Sequence, residues 1–247
     1  LQVREDGETR EHAWRLATQL FDFERAIPLL ETLSQQRRLS DAELDALVYS
    51  QRSRGTPQAL ERWLRGYLQH HPEHRNAWYG LQLLHEHNRQ FAAETLVWAA
   101  MDKRFKLTVA ERMAWAEAHW RLFDAAAAWQ VLDVSDTDAV DDEGYWRMRA
   151  ALAWDLEQDA DARQAYERLL ALHVTLGNGD EQQLITLYRE SAPDKALALL
   201  IRSWQRTRDP ATLTDALQLA EQLAAWPQLQ ALVDEAMALP GSARVSA

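Results

Sequence analysis

Residues 143–172 read EGYWRMRAALAWDLEQDADARQAYERLLAL, and this stretch decides the fold. Trp146 and Ala153 in its first half lie on one face of a helix, as do Ala162, Tyr166 and Leu169 in its second half. A short polar segment separates the two halves. The pattern therefore predicts a helix over 142–157, a turn, and a second helix over 160–173 that packs against the first.

The same arrangement recurs along the whole chain. A small residue near the start of each second helix marks the copies: Ala26, Ala59, Ala93, Ala126, Ala162, Ala196 and finally Leu229. The steps between them are 33, 34, 33, 36, 34 and 33 residues, which is the signature of a repeat architecture. Small residues allow neighbouring helices to approach closely, so we expect these positions to be packing sites.

The repeats divide the chain into seven predicted helix pairs. The first helices are expected at 8–20, 41–53, 75–88, 109–121, 142–157, 180–190 and 210–222. The second helices are expected at 23–36, 57–70, 91–104, 124–133, 160–173, 193–206 and 226–238. Ser40 followed by Glu43 has the pattern of a helix-capping box, and Pro57 and Pro193 fit the first turn of a helix.

The composition agrees with an all-α fold. The 247 residues include only 8 Gly and 7 Pro, too few for the many turns of a β protein, and residues that favour helices dominate. There is no Cys, so disulfides and thiolate chemistry are excluded. No apolar run approaches the roughly 20 residues that span a bilayer. Because the chain begins at Leu1, we expect it to be part of a longer protein, and we treat 1–247 as a single repeat domain.

Charge is distributed unevenly along the chain. Residues 1–124 contain 17 Lys/Arg and 18 Asp/Glu, whereas residues 125–247 contain 10 and 20. Nucleic-acid recognition starts from a basic surface, so this balance argues against a nucleic-acid partner. It leaves two interpretations open, a soluble acidic surface and an attraction for a cationic partner.

The helix pair resembles the tetratricopeptide repeat, which has an aromatic residue early in its first helix and the pattern Ala-x3-aromatic in its second. Trp146 with Ala153, and Ala162 with Tyr166, carry the best match, while the glycine of the family's first helix is replaced here by Ala150. The resemblance implies a right-handed superhelical solenoid of about seven antiparallel helix pairs. It also implies a non-catalytic scaffold that binds ligands along the groove lined by its first helices.

The Trp-rich, acidic texture of the repeats further resembles the periplasmic repeat region of the Pel family of exopolysaccharide export proteins. That resemblance implies a scaffold in the periplasm, attached to an outer-membrane protein. It would recruit a protein partner, such as a polysaccharide-modifying enzyme, and guide a cationic polymer along an acidic face. The alternative is a general protein-docking domain in complex assembly or regulation, located in the cytoplasm. Neither alternative requires a cofactor or membrane contact within this segment.

Aromatic residues beside carboxylates are the first candidate binding residues. If Trp146 lies in the core, counting along the same helix places Trp154 and then Asp155 toward the groove. The same counting assigns Tyr79, Glu111 and Trp115 to the groove in earlier repeats. Aromatic faces next to carboxylates hold sugars or amines by stacking and cation–π contacts. The alternative is that the tryptophans, among them Trp63, Trp98, Trp129 and Trp146, simply fill the core.

A run of carboxylates before the fifth repeat is the second candidate. Asp136, Asp138, Asp141 and Asp142 belong to a group of ten Asp/Glu within 125–161. They do not follow the spacing of a calcium loop, so the alternatives are a solvated loop and an electrostatic attractor for a cationic ligand. The histidines do not have the spacing of a zinc site, and no phosphate loop or nucleophile motif is present. We therefore predict no metal site and no catalytic residues.

Overall fold

The computed structural model describes residues 7–132 and 141–238, with side chains from residue 12 onward. Within this part of the chain every regular element is a helix, and no strand is present. The chain divides into two compact units, Leu1–Leu132 and Asp133–Ala247, which are described separately. Unit 1 contains the helices Gly7–Gln19 (α1), Phe23–Gln36 (α2), Asp41–Arg54 (α3), Pro57–His70 (α4), Arg75–His87 (α5), Phe91–Asp102 (α6), Val109–Trp120 (α7) and Ala125–Leu132 (α8).

Unit 2 contains the remaining three helix pairs. These are Glu143–Asp155 (α9), Asp159–Ala171 (α10), Asn178–Ser191 (α11), Pro193–Thr207 (α12), Pro210–Gln222 (α13) and Trp226–Met237 (α14). In each unit every helix packs on its neighbour in sequence, as expected for stacked helix pairs. The predicted all-α repeat fold is thus confirmed, while the single domain over 1–247 stays a prediction.

Local sequence chemistry explains where several helices begin. Ser40 and Glu43 form the predicted capping box at the start of α3, and Thr108 and Glu111 form another at the start of α7. Pro57 and Pro193 occupy the first turns of α4 and α12, where their missing N–H groups would have no helical partner in any case.

The buried positions of the second helices follow a more regular period than the small residues of the sequence do. Residues one period of 34 apart, at positions 26, 60, 94, 128, 162 and 196, are all buried. They are Ala26, Leu60, Glu94, Ala128, Ala162 and Ala196, exposed by 3% or less. The predicted packing sites Ala26, Ala162 and Ala196 are confirmed.

Three of the predicted packing sites belong to the wrong register. Ala59 and Ala93 are only half-buried, and Ala126 is exposed. Each lies one or two residues before the buried position, and every residue along a helix turns the side chain by about 100°. In these repeats the small residue stands beside the contact residue and does not make the contact itself.

The residue four positions after each buried position completes the helix contact. These residues are Leu30, Leu64, Trp98, Leu132, Tyr166 and Leu200, and all are exposed by 2% or less. Because residues i and i+4 lie on one face of a helix, the two positions together form the apolar stripe of each second helix. Trp98 and Trp146 are core residues, as the core-filling alternative predicted, whereas Trp63 and Trp129 are half-buried.

The register can be tested with two alanines in α8. Ala128→Leu is expected to lower the free energy of unfolding by about 1–3 kcal/mol, because the larger side chain overpacks a closed contact. Ala126→Leu, two residues earlier on an exposed face, is expected to change it by less than about 0.5 kcal/mol. Urea unfolding of both variants measures the difference. Equal losses would show that the period of 34 residues does not define the packing.

Candidate functional site

Tyr79 and Glu111, two predicted groove residues, lie together in unit 1. The Tyr79 hydroxyl donates a hydrogen bond to the Glu111 carboxylate. Arg75 binds the same carboxylate, with Nη2 2.5 Å from Oε1 and 2.6 Å from Oε2. The Arg75 guanidinium also stacks over the ring of Phe105, 5.3 Å from its centroid. One first-turn carboxylate thus ties α7 to the start of α5.

Glu111 is held as an anion inside this cluster. Its carboxylate also accepts hydrogen bonds from the backbone N–H and the hydroxyl of Thr108, at 2.6 and 2.8 Å. Burial alone would raise the pKa of Glu111, but the hydrogen bonds from Tyr79, Arg75 and Thr108 outweigh burial and lower the pKa to about 2. With all these partners in place, the carboxylate has a structural role.

The structure corrects the expected orientation of two predicted groove residues. Glu111 is 7% exposed and Trp115 is 9% exposed, so neither side chain faces an open groove. Trp115 packs in the core of unit 1, with its ring 6.1 Å from that of His119. Tyr79 is half-buried and keeps part of its surface accessible. A ligand-binding role for Tyr79 stays a prediction.

The other predicted residues belong to unit 2 and are not brought together with Tyr79. Trp154 is half-buried and Asp155 is exposed at the end of α9. Asp141 and Asp142 are exposed at its start, where Asp142 caps the helix by accepting the Tyr145 N–H at 2.9 Å. The cap gives Asp142 a structural role in addition to any electrostatic one. Asp136 and Asp138 lie outside the described residues.

The regular period reveals an accessible surface on the first helices of unit 1, which we call the first-helix face. Its central residues are Tyr49, Leu83 and Glu117, one period of 34 apart on α3, α5 and α7. Tyr49 is 49% exposed and Leu83 48% exposed. The flanking residues of the face are Asp45, Arg52, Tyr79, Glu86, Met113 and Trp120.

A groove of about 440 Å³ opens beside this face, where the turns of the second and third repeats meet. Its floor is apolar, because Leu60 and Leu84 are buried beneath it. Tyr49, Arg52 and His87 form part of its walls. The first-helix face and the groove share Tyr49 and Arg52, so they form one candidate docking surface.

Sequence reasoning missed Tyr49, Leu83 and Arg75. A strict 34-residue step from Tyr49 leads to Leu83, so the register of the second helices would have found the face. The signal was hidden because the small residues gave steps between 33 and 36. Nothing in the local sequence pairs Arg75 with a carboxylate 36 residues later.

A second polar network in unit 1 contains residue types used in catalysis. The Tyr67 hydroxyl accepts the Leu39 N–H at 2.9 Å and lies 2.8 Å from Nδ1 of His74. Nε2 of His74 lies 2.9 Å from Asp41, so the ring links Tyr67 to that carboxylate. His74 is fully buried, and burial raises the pKa of Tyr67, which disfavours a reactive phenolate. The network connects the loops before α3 and α5.

Metal-binding clusters and membrane-spanning helices are both absent over residues 7–132 and 141–238. In that part of the chain, no group of three or more His, Cys, Asp or Glu side chains is arranged to hold a metal ion. Nor does any described helix combine the length and the apolar character needed to cross a bilayer.

Comparison with solved structures finds several helical repeat proteins. A tetratricopeptide repeat protein from Parabacteroides merdae is similar over 96% of this chain and 96% of its own, at 12% identity and a TM-score of 0.52. A chain in the structure of Naa15/Naa10 bound to HypK-THB is similar over 93% of this chain, at 15% identity and a TM-score of 0.55. The APC/C heterotetramer Cut9–Hcn1 gives 13% identity and a TM-score of 0.42 over 93% of this chain. This chain spans 36% of the Naa15/Naa10 chain and 46% of the Cut9–Hcn1 chain.

The sequence comparison shows the family. No curated protein sequence matches the chain. A family model described as tetratricopeptide repeat matches residues 100–246, more than half of the 247 residues. The matched region includes Trp146, Ala162 and Tyr166, which carried the resemblance in the sequence. This chain therefore belongs to the tetratricopeptide repeat family.

Proposed function

We propose that this chain is a protein-docking scaffold whose docking surface in unit 1 is the first-helix face and its adjoining groove. The observation that carries the proposal is the groove of about 440 Å³ with Leu60 and Leu84 in its floor, next to exposed Tyr49 and Leu83. Membership of a family of repeat scaffolds supports the proposal, because stacked repeats create extended binding surfaces.

The chemistry of this surface matches that of a protein interface. Tyr49 and Leu83 form an apolar centre, and the charged side chains of Arg52, Glu86 and Glu117 surround it. Interfaces combine an apolar centre, often with Tyr, and a polar rim that remains partly hydrated. A partner segment that presents apolar side chains to the groove and mixed charges to the rim would fit this arrangement.

Photo-crosslinking tests this proposal. A benzophenone amino acid is introduced at Leu83 and, as a control, at the exposed Gln164 of α10. We expect a discrete crosslinked protein from position 83 and not from position 164. That protein, once purified, should bind the wild-type chain and lose about tenfold or more in affinity for a Leu83→Asp variant. An unchanged affinity for Leu83→Asp would refute the first-helix face as the docking surface.

We further propose a finer role for unit 2, as part of a periplasmic scaffold in exopolysaccharide export. The charge asymmetry coincides with the two units, because unit 1 has 18 Asp/Glu against 17 Lys/Arg and unit 2 has 20 against 10. Asp155, Glu157 and Asp159 are exposed next to half-buried Trp154. Carboxylates beside an aromatic ring suit a cationic polymer, and the partner recruited by unit 1 would then be a polysaccharide-modifying enzyme.

Binding kinetics at two salt concentrations test this finer role. Partially deacetylated amino-sugar oligomers are expected to bind, fully acetylated oligomers are not, and the binding should weaken as salt screens exposed charges. Replacing Asp136, Asp138, Asp141 and Asp142 with Asn should mainly slow association, since such charges steer encounter. Trp154→Ala should instead speed dissociation. Equal affinity for both oligomers, or none for either, would leave only the protein-docking role.

A further inference from the structure

A larger cavity lies on the second helices of unit 1, away from the first-helix face. It has a volume of about 620 Å³ and lies between the C-terminal halves of α2 and α4. Volumes of several hundred Å³ are typical of sites that bury a ligand. None of the proposals above uses this cavity.

One wall of the cavity is a rigid aromatic pair. The rings of Trp63 and Tyr67 stack with centroids 5.1 Å apart and an angle of 17° between their planes. Tyr67 is fixed by its hydrogen bonds to Leu39 and His74, whereas Trp63 remains half-exposed. A preorganised aromatic surface can bind an apolar or aromatic side chain at little entropic cost.

The charge of the cavity differs from that of the chain. Although the chain carries 38 Asp/Glu against 27 Lys/Arg, no carboxylate among the described residues lines the cavity. Arg37, Arg62, His70 and His71 do line it. Glu43 neutralises Arg37 through two hydrogen bonds at 2.8 and 2.6 Å, so Arg62 supplies the net charge of the lining. The cavity therefore favours a ligand with negative charge.

The remaining polar groups suit a peptide backbone. Gln35, Gln36 and Gln69 contribute side-chain amides, each of which can donate and accept hydrogen bonds. The ends of α2 and α4 add backbone carbonyls that have no partner within their own helix. An extended peptide has both N–H donors and C=O acceptors to match these groups.

We propose that this cavity is a second docking site, which binds an acidic peptide segment of a partner protein. An apolar or aromatic side chain of that segment would lie on Trp63, and a neighbouring carboxylate would bind Arg62. The Gln side chains would hydrogen-bond its backbone. The site is independent of the first-helix face, because the two surfaces are lined by different residues.

Gly66 provides a direct test, because it lines the cavity and a Cβ placed there would meet no atom within 4 Å. Gly66→Trp should fill the cavity without disturbing the fold, since most residues stabilise a helix interior relative to Gly. Gly66→Ala is the matched control, with the same helical gain but little added volume. Arg62→Glu tests the charge, with Arg65→Glu as a control in which the lost arginine is already paired with Glu61 at 2.9 Å.

The probe is a displayed library of short peptides that carry Asp/Glu and one aromatic residue, with a second library in which Lys replaces each acidic residue. The full chain should enrich acidic peptides, and Gly66→Trp and Arg62→Glu should each weaken their binding by about tenfold or more. Gly66→Ala and Arg65→Glu should retain binding, and melting curves should show all four variants folded. Failure to enrich acidic peptides, preference for the Lys library, or equal binding by Gly66→Trp would overturn the proposal. An acidic polysaccharide that binds in place of the peptides would overturn it as well.

Discussion

Replacing Glu111 with Gln is expected to lower the free energy of unfolding by about 3 kcal/mol at pH 7, because it breaks a buried ion pair. The substituted amide would leave the guanidinium of Arg75 without its charged partner and would remove acceptors used by Tyr79 and Thr108. Urea unfolding at neutral pH measures the loss. Glu117→Gln is the control, since Glu117 and its partner Arg121 are each 48% exposed and such pairs contribute at most about 1 kcal/mol.

The pH dependence of the same variant checks the cause. The pKa of Glu111 is lowered from 4.5 to about 2 in the folded protein, so its contribution is fully present above pH 4.5. The contribution is lost as pH falls from 4.5 towards 2, when the folded carboxylate takes up its proton. The difference in stability between wild type and Glu111→Gln should therefore shrink over that range. A difference that stays constant with pH would show that packing, and not the charge, is responsible.

Truncating Tyr166 to Ala is expected to cost about 3–5 kcal/mol, the range for a fully buried aromatic side chain. Tyr166 is 2% exposed and lies four residues after Ala162, in the contact stripe of α10. Its hydroxyl donates a hydrogen bond to Gln183 of α11, so Tyr166→Phe isolates that bond and should cost only about 1 kcal/mol. Urea unfolding followed by circular dichroism compares the two variants. Similar losses for both would assign the stabilisation to the hydroxyl and contradict the packing role.

The sequence predicted the helices well, because each helix has its own local signals. All fourteen predicted helices are present, with ends within two residues of those expected. The apolar spacing, the capping box at Ser40 and the prolines at helix starts are features that a short window contains. The same signals do not specify which of two adjacent residues faces the neighbouring helix. Glu94 shows this, since a buried acid stands where three other repeats beyond the first have Ala.

The environment of Glu94 could not be read from its own helix. Gln82 of α5 donates a hydrogen bond to its carboxylate at 2.7 Å, and the Trp98 indole donates another at 3.3 Å. Burial raises the pKa of Glu94 despite these bonds. The partner on α5 lies 12 residues away, so its contact depends on how the two helices pack. Glu111 and Trp115 were misplaced for the same reason, since their burial is set by neighbouring helices.

The candidate surfaces were predicted only in part. Exposed Asp155 and Asp141 were found because acidic residues at helix ends and turns are usually solvated. Tyr49 and Leu83 were not found, since an exposed aromatic or leucine has the same letter as a buried one. Only the register of the whole repeat distinguishes them. The groove beside them needs the packing of α3, α4 and α5, which no single helix specifies.

Cysteine labelling tests most directly whether the first-helix face is the docking surface. The chain contains no cysteine, so a single one introduced at Tyr49, Leu83 or Glu117 reports on that position alone. With the partner identified from position 83 present at saturation, maleimide labelling at all three positions should slow by about tenfold or more. Labelling of a cysteine at Gln164 should not change. Unchanged labelling at positions 49, 83 and 117 while the partner is bound would contradict the account.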